Sequence, residues 1–266
     1  MTGISVEQVA QRRSGVRVEE PAEGVRLLVL DRPAQRNALD AGVIGTLLEE
    51  LGRVGEDASV RALVLHGAGG AFSAGADFGG IDFRGLRREE IEPVMRAVLP
   101  LGQLLYDVPQ PTIAAISGPV AGGALGLALA CDVRIGGPDA SFLSPFIHMG
   151  LVPDCGATWL MPRLAGEGRA LELMLGGRPI GAAAAERAGL LTRVENDPLA
   201  EALELARTLA RRPPQAVRLT KRLVREAGGG DLRAAIEREA VAQAQAFAGA
   251  EFEAGFEGWR DNRRPD

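Results

Sequence analysis

A chain of 266 residues, 46% hydrophobic and 24% charged, has room for a substantial core and the makeup of a soluble globular protein. Its net charge of -5 gives no sign of a nucleic-acid surface, the clusters "RRPP" and "RDNRRPD" reading as solvated ends or anion contacts, and no apolar run is long enough to span a bilayer. With aromatics at 4% and 35 glycines, the core has to pack small aliphatic side chains at close range.

Residues 1–15 read as a polar, flexible lead without the apolar segment of a secretory signal. "GVRLLVLDRP" (Gly24 to Pro33) reads as a strand that stops at its proline. In the next segment Asp40 can cap a helix whose Val43, Leu47, Leu51 and Val54 share one face. "VRALVLHGAGG" is a buried strand opening into a glycine loop, and "AFSAGADF" is a short loop after it. Residues 80–92 read as a polar surface loop with a helix start, bordering whatever pocket the loops form. A helix follows, interrupted at Pro93 and Pro100 and ended by Pro109. "PTIAAISG" is a second buried strand, and "PVAGGALGLALACDVRIGG" is a glycine turn, a helix and a strand. Alternating helices and near-continuous apolar strands predict an α/β architecture. After residue 165 five helical segments follow, the last running from Asp231 to Asp261; the final two are amphipathic and lie outside the α/β part.

Two strand-then-glycine elements invite a ligand reading. The dinucleotide fingerprint fails, because its third glycine would fall on Phe72, and no GK[ST] follows any glycine run. What remains is "FSAGAD" and "AGGALG", the second opening a helix whose first N–H groups lack intrahelical partners. If the N–H groups of Ala76 and Gly123 converge, they form a pocket for an oxygen gaining negative charge. The alternative is a pair of tight turns before packed elements. A further oddity is Asp154, a lone carboxylate inside the apolar run "SPFIHMGLVPDCGATWLMPRLAG". It is either a helix N-cap over "CGATWL" or an acid in use. Other chemistries find little support. Cys131 and Cys155 make neither a disulfide framework nor a zinc site and fit a reducing, cytoplasmic location. No His/Cys/Asp cluster has metal-ligand spacing. Ser73 and Ser144 lack a nucleophile elbow, Cys155 carries no mark of activation, and Asp132 reads as structural.

The motifs "LDRPAQRNALD", "VRALVLHGAGGAFSAGADF", "PTIAAISGPVAGGALGLALACDVRI" and "GLVPDCGATWLMPRLAG", in this order, resemble the crotonase, or enoyl-CoA hydratase/isomerase, superfamily. The ending "EFEAGFEGWRDNRRP" looks like its closing helix. The resemblance implies a spiral of ββα turns over residues 16–200 and a C-terminal helical region over 201–266 that builds homotrimers, often paired into hexamers. It implies an acyl-CoA substrate, with coenzyme A part of that substrate and no separate cofactor. Ala76 and Gly123 hold the positions of the two oxyanion donors. Arg36, Ala38, Ala74 and Asp77 fall where the family cradles the CoA nucleotide and pantetheine, and Trp259 matches an aromatic near the adenine, often of a neighbouring subunit.

Hydratases of this family use two glutamates, and here those positions are Gly126 and Phe146. A third position, the residue after "GLVP", carries an acid in the dienoyl-CoA isomerases and in the ring-epoxide isomerases of phenylacetyl-CoA breakdown. Here it is Asp154. The resemblance therefore implies an isomerase with Asp154 as its acid/base, the apolar neighbours raising its pKa by desolvation; the alternatives are an enoyl-CoA hydratase with a degenerate site and a CoA-binding protein without turnover. Phe146 and Trp159 are expected to shape the acyl pocket, with core packing as their alternative. His148 sits near the presumed pocket as a candidate helper, with a packed or hydrogen-bonded structural role as the favoured alternative.

Overall fold

The computed structural model describes residues 15–77, 79, 85–228 and 231–261, with the side chains of 254 and 257–261 outside that description. A strand the apolar pattern does not announce, Val16–Ala22 (β1), folds back on Val25–Leu30 (β2) as an antiparallel hairpin. From β2 onward one unit repeats: a buried strand in a large sheet, a short extended segment in a small sheet, then helix. The first turn adds a single bridge at Leu39 and the helix Ala41–Glu56 (α1). The second is Ala62–Gly67 (β3), bridges at Ser73 and Ala76, then Arg88–Val98 (α2) and Pro100–Asp107 (α3). The third is Thr112–Ile116 (β4), Pro119–Ala121 (β5) and Gly123–Ala130 (α4). The fourth is Val133–Gly136 (β6), Ser141–Leu143 (β7), a 3-10 turn at Phe146–Met149, then Ala157–Ala165 (α5) and Glu167–Gly176 (α6). Ile180–Gly181 (β8), Ala182–Arg187 (α7) and Arg193–Val194 (β9) close the spiral, and Pro198–Ala210 (α8) covers it.

The large sheet runs β1-β2-β3-β4-β6-β9, parallel from β2 onward. The small sheet runs β5-β7-β8, and the bridges Leu39–Ala76 and Ser73–Val120 carry its line back across the two earlier turns. The chain is thus the α/β spiral that the resemblance implies.

Parallel strands need cover on both faces. Leu28 and Leu30 of β2 point to Val43, Leu47, Leu51 and Val54 of α1, all buried, while Val25, Leu27 and Val29 point to Ala202 and Ala206 of α8. Asp40 caps α1 as its sequence predicts, accepting the Val43 N–H at 2.8 Å. Helix α8 therefore belongs to the core although it crosses residue 200. Pro93 does not interrupt α2. The helix passes it with Glu92 paired to Arg96 at 2.7 Å and to Arg88 at 3.3 Å, and only Pro100 starts a new helix.

The helices Pro214–Ala227 (α9), Leu232–Phe247 (α10) and Ala250–Asp261 (α11) leave the core. The expected single segment from Asp231 is two helices. It breaks at Ala248–Gly249, and the Phe247 and Phe252 rings meet edge-on at 4.7 Å across the break. One polar anchor ties α9 down. Asp132 accepts the Thr112 N–H and the Lys221 ammonium, at 2.8 and 2.7 Å, and pairs with Arg225. The Arg225 guanidinium lies 3.5 Å over the Tyr106 ring.

Candidate active site

Ala76 and Gly123 sit at equivalent points of consecutive turns, each just after a small-sheet segment. The Leu39–Ala76 bridge uses the Leu39 N–H on Gly75 O (2.8 Å) and the Asp77 N–H on Leu39 O (3.0 Å), so the Ala76 N–H between them points away from that pairing. Gly123 opens α4, where an N–H has no acceptor inside the helix. Among the described residues neither N–H donates to a protein acceptor. The two loops touch. A Cβ on Gly75 would lie 3.2 Å from Gly123 N, and one on Gly122 would lie 4.0 Å from Ala76 N. Gly75 and Gly122 have φ of 85° and 57°, which with this approach only glycine tolerates cheaply. Ala74 and Ala76 are exposed and Gly123 is buried.

Asp154 meets the same glycine. A Cβ on Gly123 would lie 3.2 Å from Asp154 Oδ1. That oxygen is buried and has no hydrogen-bond partner. Desolvation pushes the carboxyl above the ordinary carboxylate range, and the neighbouring Cys155 thiol and the backbone offset this only in part. Burial and the adjoining carboxylate push the thiol itself far up, so it stays protonated. The N-cap alternative for Asp154 does not hold. Helix α5 begins after Gly156 with no side-chain cap, and Ala157 N–H takes the Asp154 backbone carbonyl at 2.9 Å.

The two positions that the resemblance matches to the hydratase glutamates carry no acid, and position 126 as folded has no room for one. A Cβ on Gly126 would lie 2.4 Å from the Cys155 carbonyl oxygen, and Phe146 is 5% exposed within the protein. One expectation needs correction. Trp159 does not line this site. It stands edge-on to Tyr106 at 5.5 Å, with Arg163 stacked at 3.7 Å. It lines a cavity of about 1160 Å³ between α5 and α9, whose walls include none of the candidate site residues. The reason lies at Gly156: α5 starts from a left-handed residue (φ 84°), and the helix carries Trp159 to its outer side. His148 is occupied elsewhere, its Nε2 on Gly177 O at 2.9 Å.

The pairing of residues 36–39 with 74–77 brings together the four CoA-cradle positions. Arg36 is exposed and its carbonyl accepts the Ala74 N–H at 2.9 Å. The Ala38 carbonyl accepts from Arg32 at 2.6 Å. Asp77 is not free. Arg32 bonds its carboxylate at 2.9 Å and Gly79 N–H at 3.0 Å, which together hold the carboxyl below its usual range. Arg32, missed in the sequence, adds a side-chain tie between the two segments, beside the buried Asn37, which donates to Ala71 O at 2.7 Å and whose main-chain carbonyl accepts from the Ser73 hydroxyl at 2.7 Å. Trp259 falls in α11, but its side chain lies outside the described residues. Among the described residues no cluster could hold a metal ion, and no helix is long and apolar enough to cross a membrane.

A profile of the enoyl-CoA hydratase/isomerase family matches residues 20–266. The chain belongs to the enoyl-CoA hydratase/isomerase family. It is 36% identical to a probable enoyl-CoA hydratase of Rhodobacter capsulatus, over 92% of this chain and 95% of that one. It is 35% identical to the 1,2-epoxyphenylacetyl-CoA isomerase of Escherichia coli, over 91% and 94%. Its fold superposes on a crystal structure of enoyl-CoA hydratase from Bacillus anthracis with a TM-score of 0.88 at 31% identity, covering 95% and 98% of the two chains. Within the enoyl-CoA hydratase/isomerase family, then, this chain has two unclaimed backbone donors, one desolvated carboxylate beside them, and glycine and phenylalanine at the glutamate positions.

Proposed function

We propose that the protein is a CoA-thioester isomerase in which Asp154 moves a proton between carbons of the acyl group while Ala76 and Gly123 N–H hold the thioester oxygen. The observation that carries this reading is the buried, unpartnered Oδ1 of Asp154 beside Gly123. Removing a proton alpha or gamma to a thioester leaves an enolate whose charge gathers on the oxygen. Two fixed N–H donors stabilise that charge, and losing one typically costs about 3–4 kcal/mol of barrier lowering. A carboxyl whose pKa is raised toward neutrality can both accept the proton and return it. Delivered to a different carbon, the same proton isomerises the substrate. The substrates on this reading are 3-enoyl-CoA thioesters or a ring-1,2-epoxyphenylacetyl-CoA, the second supported by the Escherichia coli relative.

The CoA moiety runs past Arg36, Ala38, Ala74 and Asp77, with Trp259 of a neighbouring subunit near the adenine in a homotrimer or hexamer. Coenzyme A enters as part of the substrate, and the reaction uses no further cofactor. The setting is the cytoplasm. A second reading, hydration, is favoured by the Rhodobacter capsulatus relative. Against it stands the lack of a second acid to activate water at positions 126 and 146.

The test is a panel of acyl-CoA thioesters assayed in heavy water with wild type and Asp154→Asn. An isomerase exchanges acyl protons and keeps the double bond or opens the epoxide, and Asp154→Asn loses about 10²–10⁴-fold in rate with its fold intact. Loss of the enoyl absorbance with water added would establish hydration instead. Near-full activity of Asp154→Asn would remove Asp154 from the chemistry.

A further inference from the structure

Gly126 is more than a missing glutamate. A Cβ on it would lie 2.4 Å from the Cys155 carbonyl oxygen and 2.6 Å from the Cys155 Cβ. From the opposite side, a Cβ on Gly102 of α3 would lie 2.2 Å from the same oxygen and 2.8 Å from its carbon. These distances are far inside van der Waals contact, so the Cys155 peptide lies flush against two helices at once. Among the described residues no N–H donates to that carbonyl, so the grip is one of shape, helped at most by weak Cα–H contacts. The turn it grips is unusual. Cys155 has φ 48° and Gly156 has φ 84°, two left-handed residues in succession, the first with a side chain. Such backbone persists only where its surroundings over-determine it. Asp154 is the residue immediately before.

We infer that Gly102 and Gly126 are positioning residues: they clamp the Cys155 carbonyl between α3 and α4, set Asp154 against Gly123, and keep a second carboxylate out of position 126. The inference rests on the reading of Asp154 as the acid/base. A methyl group at either glycine evicts the carbonyl, and the turn carries Asp154 away from the donors. In this backbone a glutamate at 126 displaces the Cys155 carbonyl and with it the turn that holds Asp154.

The experiment compares Gly126→Ala, Gly102→Ala and Gly156→Ala with Gly168→Ala, a helical control where a Cβ meets nothing within 4 Å. Gly156 is exposed and its Cβ would come no closer than 3.6 Å to Leu160, so that variant disturbs the turn through φ alone and folds even if the other two do not. Each of the three is expected to lower kcat by at least about tenfold while KM for the acyl-CoA is kept. Each is also expected to move the acidic limb of the pH profile down toward the ordinary carboxylate range as Asp154 swings into water. The Cys155 thiol is the other ionisable group against that carboxyl, and it stays neutral throughout. Gly126→Glu is expected to lose the same activity, its side chain displacing the Cys155 carbonyl. Lower melting temperatures with kcat and pH profile unchanged in the folded fraction would overturn the inference. So would wild-type behaviour of Gly156→Ala, or hydration by Gly126→Glu with Asp154 still active. Asp154→Asn run in parallel separates the two readings. If it is inactive while the glycine variants are normal, only the clamp fails; if it is active, the acid/base reading fails.

Discussion

From β2 to α8 most large apolar side chains turn inward, with exceptions at Ile147–Val152, Trp159, Leu171 and Leu175; from α9 onward no large apolar side chain among the described residues is fully buried. The core buries Leu28, Leu47, Ile113 and Leu125 almost completely, on strands and helices that cover one another. Helix α9 buries none of its residues and α10 only Ala242, while Leu232 is 76% exposed, Ile236 52% and Val241 61%. The difference teaches how each part is held. The core is specified by its own packing, whereas the C-terminal helices hang on the charged anchor at Asp132 and present apolar surface that the proposed trimer would cover.

Four changes would break or sharpen that contrast. The largest effect is confined to the core. Gly123→Pro, at the first helical position where proline is tolerated, removes one donor and is expected to cost about 10²–10³-fold in kcat, with circular dichroism and assembly state preserved. Activity near wild type would show that the Gly123 N–H is not a donor in the reaction. Next is the anchor. Asp132→Ala leaves Lys221 and Arg225 facing an empty site and is expected to cost about 3 kcal/mol. Urea titration should show α9–α11 coming loose before the core melts; a single cooperative transition at the same midpoint as wild type would mean that the two parts are not held differently.

Smaller still is the double change Leu232→Ser and Ile236→Ser. The monomer's own stability should move by no more than about 0.5 kcal/mol, yet sedimentation should show a lighter particle. An unchanged mass would take this face out of the assembly. The smallest effect links Asp154 to pH. Its carboxyl is raised in the folded state, so the folded chain binds a proton more tightly than the unfolded one. Stability is therefore fullest below the unfolded carboxyl's pKa and falls as pH rises through the raised value. Asp154→Asn removes that loss, so its melting temperature at pH 7 should exceed wild type's, with the gap closing under acid.

Much of this was legible in the sequence where the cause is local. Asp40 followed by Val43, Leu47, Leu51 and Val54 spells a capped, one-sided helix, and the short apolar runs spell buried parallel strands. Gly122–Gly123 marks a close backbone approach, and the family motifs place Ala76, Gly123 and Asp154. What was illegible depends on residues far apart. Nothing near Gly102 announces that it will meet Cys155, and nothing near Arg32 announces Asp77. Trp159 follows Asp154 by five residues yet faces away, because the left-handed pair at Cys155 and Gly156 sets the rotation of α5. The break at Ala248–Gly249 has Gly249 as its local mark, and glycine recurs inside the following helix at Gly255, so the residue type alone does not separate the two.

Both groups assigned to hold the thioester oxygen are main-chain atoms. Mutation cannot alter their chemistry, only delete one with proline or shift the loop that carries it. On the proposed reading, the polarising half of the site is thus insulated from sequence drift, while the half that decides where the proton travels resides in one side chain. A fold built this way can exchange one acyl-CoA reaction for another by moving carboxylates alone, with its electrophile-activating frame left as it stands.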